Sequence, residues 1–283
     1  MKQFKYSLEK TSVKFLCPGC GKKTFVHYID VEKNERLQES FGRCDREQNC
    51  GYHKKPEQEF STFQTKSIPE KKKTSYISKE LFCSLVNPKI AVNDNFTNFL
   101  LSKYSEEKVL AASKKYLLSN LKGQTIFWQI DLLENVRTGK IMEYNPETGK
   151  RVKDSEGVAK IGFIHKYYKL EDFVLNQCLF GLDLSNEAKE KIAIVESEKT
   201  AIIMSIEVPE FTWMSCGSIS GLKLEYLSII KDRSIIAFPD KGCFNDWKQK
   251  SEVLNNFGFD IIVSDVLENT EYDDGIDIAD LYV

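Results

Sequence analysis

Apolar and polar positions follow different rhythms along this chain. From Lys22 to Val31 they alternate through Thr24-Phe25-Val26-His27-Tyr28-Ile29-Asp30, which predicts a strand ending in a polar turn. From Ser78 to Leu121 the spacing becomes helical. Leu81, Phe82 and Leu85 open a short helix; Asn95 is placed to cap a second, carrying Phe96, Phe99, Leu100 and Tyr104; Ser105-Glu106-Glu107 starts a third, with Val109, Ala112 and Tyr116 on one face. Strand character returns over Thr125–Asp131. Glycine-bearing turns at Arg137–Asn145 and Thr148–Arg151 then predict hairpins.

The last third reads differently. Ile192-Ala193-Ile194-Val195 is apolar throughout, which suits a strand buried on both faces, and a helical stretch follows it directly. Strands are expected again at Phe211–Ser215, Ser234–Phe238 and Phe259–Val263, with a helix over Asp246–Asn255. Strands alternating with helices predict an α/β parallel sheet with flanking helices. The stretch 54–75 is polar, with two prolines and a lysine triplet, and reads as a linker. Four parts follow: 1–55, a linker at 56–77, an α+β segment at 78–185, and the parallel-sheet domain at 186–283.

A chain of 283 residues with 41% apolar and 12% aromatic content can build such cores. The net charge of −2 conceals an asymmetry. Residues 1–90 hold 18 Lys and Arg against 11 Asp and Glu, or +7, and the remainder carries −9. A basic front suits a polyanion and an acidic rear suits a cation; the alternative is charge scattered for solubility. No apolar run approaches the ~20 residues of a membrane span, and the amino terminus lacks a secretory signal's apolar core. With eight cysteines and no signal, a cytoplasmic, reducing setting is expected.

In such a setting clustered cysteines more often hold metal than pair. Cys17-Pro18-Gly19-Cys20 is a tight knuckle, and Cys44 with Cys50 supplies a second, looser pair around the predicted strand. Two such pairs predict a zinc ribbon with four thiolates closing a structural site. His27 and His53 are backup ligands, expected first of all to pack or face solvent. Lys22, Lys23, Arg43, Arg46, Lys54 and Lys55 interleave with Phe25, Tyr28, Phe41 and Tyr52. Cations beside flat rings suit single-stranded nucleic acid; the other reading makes the rings a small core and the lysines its solvated face.

Glu196 stands at the end of the Ile192–Val195 strand, and Asp240 at the end of Ser234-Ile235-Ile236-Ala237-Phe238-Pro239. Strand-end acids in consecutive β-α units can meet and hold a divalent cation. Here the chain resembles the Toprim domain of bacterial primases, topoisomerases and some nucleases. Val195-Glu196-Ser197-Glu198-Lys199-Thr200-Ala201 is close to the primase version. Two positions depart from the pattern: Ser197 replaces a glycine, and Gly242 replaces the second acid of Asp-x-Asp. Asp246, Asp277 or Asp280 is a candidate replacement for that acid. The run from Ile126 through Leu179-Phe180-Gly181-Leu182-Asp183 resembles the primase segment preceding Toprim, where a basic surface holds template and nucleotide. On that resemblance Arg137, Lys140, Lys150, Arg151, Lys160 and Lys166 are candidate phosphate contacts, as are Lys199 and Lys241 beside the acids. His165 is expected to be structural.

The resemblance implies Glu196 and Asp240 as Mg²⁺ or Mn²⁺ ligands in phosphoryl transfer, and single-stranded DNA, nucleotides and replication proteins as partners, with no membrane. A ribbon joined to such a core suits a phage or mobile-element primase. The alternatives are a weakened Toprim protein that only binds nucleic acid, favoured by Gly242, and a Toprim nuclease. No G-x-G-x-x-G or phosphate-loop motif marks a nucleotide cofactor.

Overall fold

A computed structural model describes residues 5–46, 49–56, 73–86, 93–186 and 191–283. Most of the expected linker, 57–72, lies outside the described residues, as do 187–190 before the Ile192–Val195 strand. The chain divides into two compact units, Met1–Glu70 and Lys71–Val283. Among the described residues no helix is long and apolar enough to cross a membrane.

The first unit is an antiparallel sheet of β1 (Tyr6–Leu8), β2 (Phe15–Leu16), β3 (Lys23–Asp30), β4 (Glu35–Arg36), β5 (Gly42–Cys44) and β6 (His53–Lys54). Its path runs β1-β3-β5-β6, with β2 and β4 also paired to β3. The polar turn after β3 forms because the Asp30 carboxylate accepts from the Glu32 and Lys33 N–H groups. The apolar core is small: Cys17, Phe25 and Cys44, backed by Phe15, Cys20, Cys50 and Tyr52. So little burial leaves folding dependent on a further term, which a metal supplies in ribbons of this kind.

The second unit opens with α1 (Lys79–Leu85), α2 (Asn95–Lys103) and α3 (Glu106–Lys115). Asp94, rather than the expected Asn95, caps α2. Its carboxylate accepts from the Phe96 and Thr97 N–H groups at 3.0 and 3.1 Å, and the Thr97 hydroxyl closes the box. Next comes an antiparallel sheet of β7 (Ser119–Leu121), β8 (Gln124–Ile130), β9 (Val136–Met142) and β10 (Gly162–Phe163), ordered β10-β9-β8-β7, followed by α4 (Ile164–Tyr167). Alternation along β8 sorts its faces. Ile126, Trp128 and Ile130 pack with Ile77 and α1, whereas Phe127 enters the core shared with α2, α3 and the sheet that follows.

Gly139 is not in a turn, as the glycine pattern suggested, but inside β9. A Cβ there would lie 2.7 Å from Ile126 and 2.8 Å from Ile164, so close packing explains the glycine. The β8–β9 turn is made instead by Asp131, whose carboxylate accepts from the Leu133 and Asn135 N–H groups. The second glycine turn does form: Asn145 and Gly149, the latter at φ +64°, bring Tyr144 opposite Arg151.

The final sheet is parallel: β11 (Ile192–Val195), α5 (Glu198–Glu207), β12 (Thr212–Ser215), α6 (Leu224–Leu227), β13 (Ser234–Phe238), α7 (Phe244–Asn256) and β14 (Asp260–Val263), with strand order β12-β11-β13-β14. All four β11 residues are buried. Ala193 and Val195 face one core, and Ile192 and Ile194 the other. From β11 the chain steps outward to β12 and then crosses to β13, so the order reverses between β11 and β13. That crevice, at the strands' carboxyl ends, is where open α/β sheets place their ligands. The acid-rich carboxyl-terminal stretch is tied down at its end: Ile278 and Ala279 are buried and Asp277 caps their turn.

Gly139→Ala should lower stability by about 1–3 kcal/mol through overpacking; an unchanged denaturant midpoint would show that the sheet and α4 part freely there. Burial raises the Asp183 carboxyl to about 6 from 3.8. A raised folded value means that its contribution is complete below about pH 4 and lost as pH climbs through 6. Melting of Asp183→Asn should therefore vary less than that of the parent across this window, by roughly 2–3 kcal/mol.

Candidate functional site

In the first unit the knuckle brings four thiols together. The Gly21 N–H donates to the Cys17 carbonyl at 2.8 Å with Gly21 at φ +65°, which turns Cys20 back toward Cys17. On the second pair, the Cys50 N–H donates to the Arg46 carbonyl and returns Cys50 toward Cys44. All four sulfurs lie within 4.8 Å of one another, Cys17 and Cys50 at 3.7 Å and Cys20 and Cys44 at 4.0 Å. A tetrahedral zinc with Zn–S of about 2.3 Å needs sulfurs about 3.8 Å apart, so the donors fit a closed structural site. A hydrogen bond from the Lys22 backbone helps hold the Cys20 thiol low, at about 6, which favours the thiolate that metal requires. His27 packs between Phe15 and Phe25, and His53 stacks on Tyr28; neither joins the cluster. Lys22 and Lys23 are exposed beside the knuckle, and Arg43 is half-buried on β5.

In the second unit the acids gather at the crevice between β11 and β13. Val195 pairs with Phe238, so Glu196 and Asp240 leave adjacent strand ends. The Asp240 N–H and the Cys243 thiol stand against the Glu196 carboxylate, while its Oε1 is buried without a hydrogen-bond partner. Burial raises Glu196 above the ordinary range. Asp240 rises to about 8, through burial first and then the charges of Glu196 and Asp277, with Arg151 opposing. Carboxyls crowded this way favour a proton or a cation.

Ser197, in place of the glycine, costs nothing: at φ −109° it is extended, and its hydroxyl caps α5 by accepting from the Thr200 N–H at 3.1 Å. Gly242 differs. It sits at φ +88°, its N–H donates to Glu268 at 2.9 Å, and a Cβ there would meet the Asp274 carboxyl at 3.1 Å. Asp277 accepts from the Thr200 hydroxyl at 2.8 Å, and Lys199 lies 4.0 Å from Asp277 and 3.5 Å from Asp280. Asp246 is exposed in the first turn of α7. Among the described residues the four cysteines alone bring three or more such ligand atoms this close; the acids do not.

The proposed cations divide into two sets. Lys150, Arg151, Lys160 and Lys166 are exposed, and the charge of Arg151 reaches Glu196 and Asp240. Others are occupied internally. Arg137 holds Asp131 at 2.7 Å, Lys241 donates to the Thr270 carbonyl, and Lys140 is buried with its amine 2.8 and 3.0 Å from the two Glu198 oxygens. His165 is structural, with Nδ1 on the Thr138 hydroxyl and its ring stacked on Phe173. Sequence reasoning missed Glu198 as the partner of Lys140, and Asp274 and Glu268 as the acids beside Gly242. Its one available signal was the second acid in Glu196-Ser197-Glu198.

The molecule is thus a zinc-ribbon protein with a mixed α/β part whose parallel sheet carries acids at its switch point. The chain belongs to the DUF6371 family, a domain of unknown function, whose model matches residues 94–241, and a zinc beta-ribbon finger model matches residues 4–65. No curated protein matches it. Among solved structures it is similar to the primase fragment of the bacteriophage T7 primase-helicase, at 14% identity over 93% of this chain and 91% of that one, TM-score 0.41. It is also similar to the zinc-binding and RNA polymerase domains of Aquifex aeolicus primase, at 15% identity over 69% of this chain and 50% of that one, TM-score 0.39. A third similarity is to the E. coli primase catalytic core, at 11% identity over 71% and 73%, TM-score 0.41.

Elemental analysis should find about one zinc per chain, lost in a Cys17→Ser, Cys44→Ser double variant. Zinc retained by that variant would mean that the thiols are not its ligands.

Proposed function

We propose that this chain is a primase-like nucleic-acid-binding protein of a phage or mobile-element replicon, acting in the cytoplasm. Its ribbon would contact single-stranded DNA template, and its parallel-sheet acids would serve nucleotidyl transfer. The observation that carries the reading is the pair of strand-end acids, Glu196 and Asp240, side by side at the switch point with an unpartnered buried oxygen on Glu196. The Toprim-like order of residues around them supports it.

Hard oxygen donors crowded until Asp240 rises to about 8 fit Mg²⁺ or Mn²⁺. Glu196 and Asp240 would hold the ion. Bound there, it would supply neutralisation and orientation of phosphates. The chain's own part is to keep the two acids in register through β11 and β13. Arg151, with Lys150 beside it on the exposed turn, is positioned to receive a phosphate, and Lys22 and Lys23 offer contacts to template backbone. Replication proteins are the partners expected of such an enzyme.

Gly242 favours a second reading, in which the protein binds single strands without synthesis. Glycine there, in the left-handed region with the Asp274 carboxyl against it, leaves the Asp-x-Asp pattern without its second acid.

Primer synthesis on single-stranded DNA with Mg²⁺ or Mn²⁺ tests the first reading. Glu196→Gln should reduce it about a hundredfold or more while zinc content and strand binding persist. Strand binding without synthesis in the parent protein would select the second reading.

A further inference from the structure

A cavity of about 430 Å³ lies where the antiparallel sheet meets the loop after β12, with Glu198 in its wall. Strand register explains its lining. Gln129 pairs with Thr138 and Phe127 with Lys140, so Gln129 and Lys140 share the β8–β9 face turned toward the parallel sheet. Lys140 there is neutralised by Glu198 at 2.8 Å, which leaves the floor polar without a free charge. Gln129 is only 5% exposed, lines the cavity, and its Oε1 has no hydrogen-bond partner. A buried acceptor left unsatisfied costs about 1–3 kcal/mol, so it marks a place for a ligand's N–H.

The rest of the lining fits the same ligand. Phe163 and Tyr226 offer rings on which a base can stack. Lys223, its amine 4.1 Å from the Tyr226 ring centre, supplies a cation. Gly217, at φ +84° with open space where a Cβ would be, lets backbone approach closely.

We propose that this cavity binds an adenine nucleotide, with the Gln129 amide reading the adenine edge and Lys223 meeting a phosphate. A glutamine amide matches adenine because its carbonyl accepts from N6–H while its NH₂ donates to N7. Guanine presents two acceptors on that edge and leaves Oε1 unsatisfied. As a substrate pocket this rests on the primase reading above; as a binding site it stands by itself.

Calorimetric titration of the zinc-loaded full chain with ATP and with GTP, without template, tests it. ATP should bind about tenfold or more tightly than GTP, and Gln129→Leu should weaken ATP about tenfold or more. Because that change removes an unsatisfied amide, melting temperature should hold or rise. Gln129-dependent ATP binding in a parent protein that makes no primers would leave the pocket standing while the catalytic reading falls. Equal affinity for ATP and GTP, no effect of Gln129→Leu, or no ATP binding at millimolar concentration would each overturn it.

Discussion

The second unit is organised around a lysine and a glutamate that have left water together. Lys140 comes from an antiparallel strand and Glu198 from the first turn of the helix after β11, and both are buried. Such a pair adds little net stability relative to apolar side chains of the same size, yet losing one member strands a charge. Its effect is therefore on alignment. Hydrocarbon packing through Phe127, Phe180, Ala193 and Trp213 joins the two sheets, and the Lys140 amine adds a charged contact to both Glu198 oxygens. With β9 pinned to the start of α5, the strand end two residues earlier, Glu196, is pinned too.

Acids concentrate at the neighbouring edge because parallel strands deliver their carboxyl ends to one side. Burial and mutual repulsion then act on whatever acids stand there and raise Asp240. Arg151 reaches this edge from a turn of the antiparallel part, so positive and negative groups arrive from different sheets. The ribbon solves a separate problem. Its core is three buried side chains and their neighbours, and its four sulfurs stand where hydrophobic contacts are too few.

What could be read in advance depended on how local each cause is. The strand Ile192–Val195 was legible because burial on both faces leaves a continuous apolar run, and the cysteines because a knuckle sets two ligands within four residues. Helix α3 announced itself through Ser105 and the acids after it. The capping residue of α2 was harder. Asp94 and Asn95 are equally good caps, and Thr97 decided between them by completing the box. Gly139 was misread as a turn because its cause is distant: Ile126 on the next strand and Ile164 on the following helix. The Lys140–Glu198 pair spans 58 positions, and no local pattern distinguishes such a lysine from a solvated one.

Position 242 is constrained both by its own backbone and by a distant segment. Its left-handed conformation, and the carboxyl of Asp274 pressed against it, mean that an aspartate there would not simply add a carboxylate to the strand end. The newcomer would strain the main chain by about 1–2 kcal/mol and displace an acid already supplied from the tail. An aspartate at 242 would therefore need a matching change around Asp274, in a segment far along the polypeptide.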